Sequence, residues 1–188
     1  DANGAGLTPY GFKAVRTAPS QTAHVRLRIF NGAVGLITKH DLPSLVTKFE
    51  RLPGQINELS KSAFENVYGS EAAAQAKNIV YFFLSSKPVP RLNGESCILY
   101  IGQTKTSFKS RYFRHANLHA TSKANSLKFD MVIKNYGAIE IAFCDYRKFG
   151  DTLLGAEGQF LWWYFQNHGE YPPINYTKTK VRIDAVSA

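Results

Sequence analysis

Five side chains in the second half of the chain are of types that could act together on one substrate. In chain order they are Tyr81, Tyr100, Arg111, His115 and Glu157. A guanidinium can hold two phosphate oxygens at once, an imidazole can accept a proton near neutral pH, and a carboxylate can bind a metal ion. Hydrolysis of a phosphodiester needs these contributions, because water must be activated and the charge on the phosphate must be offset. Cleavage of a nucleic-acid backbone is therefore our first hypothesis.

Arg111 and His115 are four residues apart, so within one helix they would lie about one turn apart on the same face. The pattern predicts such a helix over about 107–118. Its buried stripe would consist of Phe108, Tyr112 and Ala116. The alternative interpretation is a solvated basic helix that binds no ligand.

Glu157 shares one face of a helix predicted over about 152–167 with Phe160, Leu161 and Tyr164. A lone carboxylate in an apolar stripe is costly to bury unless a positive charge offsets it, and a metal ion supplies that charge. One carboxylate suits Mg²⁺, for which Mn²⁺ can substitute, because Mg²⁺ keeps most of its waters and takes other oxygens from phosphate. The alternative is a glutamate favoured near a helix N-terminus by the helix dipole.

Tyr81 and Tyr100 lie in two strand-like stretches, 79–84 and 97–101, which we predict to pair as antiparallel neighbours with both phenols on one face. The pKa of a free phenol is about 10, so a tyrosine is a poor base at neutral pH without a nearby cation. Arg111 or Lys105 could supply that cation. Alternatively, both tyrosines are half-buried aromatic residues of the sheet.

In their order along the chain, these stretches resemble the core of the GIY-YIG nucleases. The matching elements are Ile79-Val80-Tyr81, Tyr100-Ile101-Gly102, the polar run Gln103-Thr104-Lys105, Arg111-Tyr112-Phe113-Arg114-His115, Glu157-Gly158-Gln159-Phe160-Leu161, and Asn175. Two departures concern the first hairpin. Ile79 replaces the first glycine of the family, and the two tyrosines are 19 positions apart, which resembles family restriction enzymes with inserts there more than the usual tight hairpin.

The resemblance covers about residues 78–177 and implies an α+β fold. We expect a small three-stranded antiparallel sheet flanked by helices, in the order β, β, α, α, β, α. This GIY-YIG-like core would occupy 78–188, and residues 1–77 would form an N-terminal extension of a hairpin and helices that adds DNA contacts or a dimer surface.

The resemblance also implies a metal-dependent endonuclease that acts on double-stranded DNA. The implied catalytic residues are Tyr81, Tyr100, Arg111, His115, Glu157 and Asn175. In this mechanism Tyr81, together with His115, takes a proton from the attacking water. Arg111 and Tyr100 hold the phosphate, and Glu157 binds the metal ion, which stabilises the leaving 3′ oxygen. Asn175 orders the site by hydrogen bonds.

The charge distribution favours a polyanionic partner. The formal charge is +9, and residues 99–134 contain seven Lys and Arg against one acidic residue, Asp130. The side chains expected to contact the DNA backbone are Lys105, Lys109, Arg114, Lys123 and Lys128. The alternative is a basic surface that only serves solubility.

The remaining pattern predicts the other elements. His24 to Thr38 alternates around Asn31-Gly32, a favoured hairpin turn. A helix is predicted from Asp41, with an apolar face formed by Leu42, Leu45, Val46, Phe49 and Leu52. A second helix is predicted over about 55–68, and a loop over 85–96, where two prolines and a glycine occur.

Several classes of protein are set aside. No apolar run approaches the length that crosses a bilayer, so we expect no membrane association. The resemblance to the small bacterial restriction enzymes of the GIY-YIG family implies a bacterial cytoplasmic protein. Cys97 and Cys144 lack the spacing of metal ligands and are expected to be buried free thiols. Because the chain begins at Asp1 and its only methionine is Met131, we expect a processed, trimmed or excised segment.

A type II restriction endonuclease is the first choice of subclass. Such an enzyme would act as a homodimer, because nicks in opposite strands generally require two active sites. The alternatives are a toxin domain of a larger effector, a homing or repair nuclease fragment, a catalytically inactive nucleic-acid-binding module, and a structural protein with a basic surface.

Overall fold

An antiparallel sheet with helices on both faces organises the chain, as seen in a computed structural model that describes residues 38–175. The helices are α1 Leu42–Thr47, α2 Lys61–Tyr68, α3 Glu71–Gln75, α4 Phe108–Tyr112, α5 Ala116–Thr121, α6 Lys123–Tyr136 and α7 Leu153–His168. The strands are β1 Glu50–Arg51, β2 Ile79–Pro90, β3 Glu95–Thr104 and β4 Ile139–Asp145. The hairpin predicted upstream lies outside the described residues. Within 38–175, no helix is both long and apolar enough to span a membrane.

The sheet has four strands in the order β1-β4-β2-β3, so the α+β class with an antiparallel sheet is confirmed and the predicted three strands are not. The additional strand is β1, in which Glu50 pairs with Phe143. We expected Phe49 and Leu52 to extend the first helix, but α1 ends at Thr47. Leu52 instead donates its N–H to the Ile141 carbonyl at 2.9 Å. Pairing with the edge of β4 therefore prevails over helical periodicity.

The loop predicted over 85–96 is mostly strand. β2 continues to Pro90, β3 starts at Glu95, and the Arg91 N–H donates to the Gly94 carbonyl at 2.9 Å across the turn. Pairing of β2 with β4 ends at Ser85. Beyond that point one side of β2 needs no N–H donors, so prolines are tolerated there.

Two predicted helices have different boundaries. The helix expected over 55–68 begins only at Lys61, because the Ser60 hydroxyl accepts the Ala63 N–H at 3.1 Å and caps it. The helix expected over 107–118 is divided by a 3-10 turn, Phe113–His115, between α4 and α5. At this division Tyr112 has a φ of −113°, which departs from α-helical geometry.

Alternation along β2 creates two hydrophobic cores. Tyr81 and Phe83 face a core shared with α2 and with α4 to α6. Val80 and Phe82 face the opposite core, which is filled by residues of α1 and α7. β1 is thus a strand of the same sheet as β2, and α2 packs on that sheet. The predicted division of the chain into two parts at 77/78 stays a prediction.

Both cysteines are free thiols, as predicted. Cys144 is buried in the core beneath α7, whereas Cys97 is only half-buried, in contrast to the expectation for both residues.

Candidate active site

The β2–β3 pairing brings the two predicted tyrosines together. Tyr81 pairs with Gly102 and Phe83 with Tyr100, so Tyr81 and Tyr100 are diagonal neighbours on one sheet face. Their rings stack with centroids 6.1 Å apart at an interplanar angle of 22°. Tyr81 is fully buried and Tyr100 half-buried. A Cβ at Gly102 would lie 2.5 Å from Tyr100 Cε1 and 2.7 Å from Tyr81 Oη, so the tyrosines need glycine there.

The positive charge of Arg111 affects the pKa of several groups around it. It is an exposed residue of α4, the helix that follows β3. Burial raises the pKa of Tyr81, Tyr112 and Glu157, and the Arg111 guanidinium counteracts the rise in all three. Within residues 38–175, Arg111 forms no ion pair with a carboxylate. In this part of the chain its guanidinium therefore has no carboxylate within ion-pairing distance.

His115 lies in the 3-10 turn between α4 and α5 and is half-buried. It does not share one continuous α-helix with Arg111, as we had predicted. Burial lowers the pKa of His115, and the positive charges of Arg114 and Arg111 lower it further. The imidazole is therefore neutral at neutral pH, and one ring nitrogen has a free lone pair.

Glu157 interacts electrostatically with Arg111 from the other side of the sheet. It lies near the start of α7, which packs on the face opposite Tyr81 and Tyr100, and its side chain is half-buried. β3 is an edge strand, so groups on both faces can approach each other around it. The charge of Arg111 acts on the Tyr81 phenol and on Glu157 alike, and this connects the two faces.

Asn175 covers the free edge of β3. Its Nδ2 donates to the Ile101 carbonyl at 2.7 Å, and its Oδ1 accepts the Ile101 N–H at 2.8 Å. The Ile174 N–H also donates to the Leu99 carbonyl at 2.8 Å. Ile101 lies between Tyr100 and Gly102, so Asn175 fixes the backbone that carries the site.

Glu157 is the residue best suited to hold a metal ion. It forms no salt bridge with another residue of 38–175, and burial raises its pKa, so a bound cation would offset an existing cost. In the described part of the chain, no group of three or more His, Cys, Asp or Glu forms a ready ligand cluster. A metal ion on Glu157 would take its other ligands from water and phosphate.

Sequence reasoning assigned no role to two residues next to the site. Tyr112, predicted only as part of a buried stripe, hydrogen-bonds Tyr81 through the two hydroxyls at 2.8 Å. His119 bonds the Tyr68 hydroxyl through Nδ1 at 3.0 Å and stacks on His115 with centroids 6.3 Å apart. Burial, reinforced by His115, lowers the pKa of His119 to about 4. The four-residue spacing of the two histidines was the available signal.

The basic residues predicted to contact DNA follow one another along the end of β3 and helices α4 to α6. Lys105, Arg114 and Lys123 are exposed, whereas Lys109 and Lys128 are half-buried. Lys109 Nζ lies 5.8 Å from the centre of the Phe113 ring. Lys134, in the same region, is engaged by Asp130 at 2.7 Å.

A separate cavity of about 600 Å³ lies at the other end of the β2–β3 hairpin. Its walls include Val46, Leu84, Cys97 and His168. None of the predicted site residues lines it, so the candidate site is an open surface around Arg111 and not this cavity.

Comparison of the chain with sequence models of protein families, with curated proteins and with solved structures finds no match.

Proposed function

We propose that this chain is a metal-dependent DNA endonuclease of the GIY-YIG type that hydrolyses phosphodiester bonds. The observation that carries the proposal is the setting of Arg111, an exposed guanidinium whose charge acts on Tyr81, His115 and Glu157. A phosphate is an anion that such a guanidinium binds well, because two of its oxygens match the fork of the guanidinium in geometry.

The proton acceptor for the attacking water is His115. Its pKa is lowered, so the imidazole is unprotonated at neutral pH. Tyr81 does not suit this role, because burial raises its pKa and the phenol keeps its proton. We therefore assign the half-buried Tyr100 as the hydrogen-bond donor toward the phosphate. The fully buried Tyr81 holds the stacked Tyr100 ring in place, and we revise the expectation that Tyr81 shares the role of base.

In the proposed reaction, the water oxygen bonds to phosphorus as the bond from phosphorus to the 3′ oxygen breaks. His115 takes the proton of the water, and Arg111 holds the non-bridging oxygens as their charge increases. The leaving 3′ oxygen takes a proton from solvent, which yields a 5′-phosphate and a 3′-hydroxyl. A Mg²⁺ or Mn²⁺ ion held by Glu157 would supply charge stabilisation at the leaving oxygen.

Double-stranded DNA is the proposed partner, and a type II restriction endonuclease acting as a homodimer is the proposed subclass. The exposed side chains of Lys105, Arg114 and Lys123 suit contacts to the phosphate backbone. Sequencing the ends of digested phage DNA separates the subclasses: a restriction enzyme leaves defined ends, and a toxin-like nuclease leaves scattered ends.

The test is nicking of a supercoiled plasmid by the wild-type protein and by Glu157→Gln, with Mg²⁺ or Mn²⁺ and with EDTA. The matched control is Glu95→Gln, which removes an exposed carboxylate. We expect metal-dependent nicking by the wild type and the control, and DNA binding without nicking by Glu157→Gln.

Nicking by Glu157→Gln at the wild-type rate would refute the assignment of Glu157. DNA binding without nicking by the wild type would instead indicate an inactive binding module. Absence of salt-sensitive DNA binding would leave only a structural role for the basic surface.

A further inference from the structure

Tyr112 occupies the centre of the aromatic cluster behind the candidate site. It is the last residue of α4, directly after Arg111. Its ring stacks on Phe108 with centroids 4.7 Å apart at 18°, and meets Tyr81 edge to face at 5.4 Å and 86°. His115 lies on its other side at 6.4 Å. The ring is therefore held in place by neighbours on several sides.

The hydroxyl of Tyr112 lies 2.8 Å from the hydroxyl of Tyr81, and the Tyr100 side chain is a further hydrogen-bonding neighbour. Burial raises the pKa of both phenols, so the pair holds two protons at neutral pH. Only one of these protons can lie between the two oxygens. Either hydroxyl can be the donor, and in both cases the bond fixes the orientation of the Tyr81 phenol beside Tyr100, whose ring stacks on it with centroids 6.1 Å apart.

From this geometry we infer that Tyr112 is a positioning residue, whose hydroxyl fixes the buried Tyr81 phenol and through it the stacked Tyr100 ring, which hydrogen-bonds the scissile phosphate. The inference rests on the proposed nuclease function and adds a residue to the same site. Tyr112 acts through Tyr81 and not on the substrate. Loss of its hydroxyl should therefore reduce the rate of the chemical step without changing the affinity for DNA.

The test compares Tyr112→Phe, Tyr81→Phe and the double variant in plasmid nicking at saturating DNA, with binding measured separately. Phe keeps the ring that stacks on Phe108, and thermal unfolding verifies that the fold is retained. Tyr146→Phe, in the other core, is the control. We expect kcat for Tyr112→Phe to fall about 10- to 100-fold, as a misplaced catalytic group does, with KM and DNA affinity unchanged.

The double variant decides whether the two hydroxyls act as one unit. We expect it to cleave no more slowly than Tyr81→Phe alone, because Tyr112 has no effect without the Tyr81 hydroxyl. Wild-type kcat in Tyr112→Phe, or multiplied losses in the double variant, would overturn the inference while leaving the nuclease proposal intact. A wild-type protein that does not cleave at all would refute the proposed function itself.

Discussion

At the scale of single residues, burial disfavours the charged forms of both candidate reactive groups. It raises the pKa of Glu157 and lowers that of His115. The neutral imidazole is the form that accepts a proton. The carboxylate, in contrast, is held in surroundings that a bound cation would improve, which is typical of a site shaped for function at a cost in stability.

Replacement of Glu157 by Gln should stabilise the protein at neutral pH. A raised pKa in the folded state means that the ionised carboxylate opposes folding above that pKa, and Gln removes this cost. Below about pH 4 the carboxyl group is protonated in both the folded and the unfolded state, so the gain should disappear. Denaturant unfolding at several pH values measures it.

Glu95→Gln is the control, because the Glu95 side chain is exposed. Its replacement should give no gain in the free energy of unfolding, either at neutral pH or at acidic pH. Mg²⁺ should also stabilise the wild type and not Glu157→Gln. Equal stability of Glu157→Gln and the wild type at pH 7 would contradict the account of Glu157.

Arg114→Gln should raise the pKa of His115. Burial is the largest cause of the lowered pKa, and the charge of Arg114 is the next. Without that charge, NMR titration of the imidazole should move to higher pH, and the acid limb of kcat should move with it, since activity is lost as His115 becomes protonated. Lys123→Gln, in α6, should leave both unchanged. An unshifted titration would exclude Arg114 as a cause.

At the scale of elements, the site depends on the edge strand β3. Tyr100 and Gly102 lie on it, and Asn175 bonds to the backbone of Ile101 between them. α4 follows β3 directly and carries Arg111. Changes that displace this strand should therefore affect stability and activity together.

Gly102→Ala should disrupt the site, because the added methyl group would overlap Tyr100 Cε1 and Tyr81 Oη. We expect a loss of about 1–3 kcal/mol in the free energy of unfolding, typical of overpacking, together with loss of nicking. Gly158→Ala is the matched control, since a Cβ there meets nothing within 4 Å. In helix α7 it should stabilise by up to about 1 kcal/mol. Equal stability of the two alanine variants would contradict the close approach of Tyr81 and Tyr100 to Gly102.

Asn175→Ala should cost about 1–3 kcal/mol of stability, because it leaves the N–H and C=O of buried Ile101 without partners. Urea unfolding measures the loss. Asn135→Ala, which removes a bond to Met131 on an exposed helix surface, should cost much less. A loss no greater than that of the control would mean that solvent replaces the Asn175 bonds.

The periodicity of the sequence predicted helix α7, which carries Glu157, to within one residue at each end, and the starts of β2 and α4, which carry Tyr81 and Arg111, equally closely. It did not predict β1, because two residues contain no measurable alternation and pair only once β4 is present. It also did not predict the 3-10 turn at Phe113–His115. There the packing of Tyr112 against Phe108 and Tyr81 interrupts a sequence with good helical spacing.

At the scale of the whole molecule, the convergence of the site residues stays a prediction, whereas the way in which neighbouring side chains meet is seen only in the folded chain. The order of Tyr81, Arg111 and Glu157 led to one expected site, and the charge of Arg111 does act on the other two. The hydroxyl pair of Tyr81 and Tyr112 was not predictable. It depends on the β2–β3 register and on the end of α4, which are properties of the folded chain.

The excess of positive charge should make DNA binding strongly dependent on salt. Each phosphate contact that is lost reduces the slope of log K against log salt concentration by about 0.9. Lys105→Gln combined with Lys123→Gln, both exposed positions, should therefore reduce the slope by about 2 in a binding titration. Lys61→Gln, in α2 and paired with Glu65, should leave it unchanged. An unaltered slope in the double variant would indicate that DNA binds to a surface that does not include Lys105 and Lys123.

The most direct test of the central claim is the rate of the first nick in supercoiled plasmid by the wild type and by Arg111→Gln, with Lys61→Gln as the control. Arg111 is the group whose charge acts on Tyr81, His115 and Glu157. We predict metal-dependent nicking by the wild type and the control, and a loss of at least about 100-fold in Arg111→Gln, as expected when a group that stabilises the transition state is removed. Nicking by folded Arg111→Gln at the wild-type rate would contradict the account.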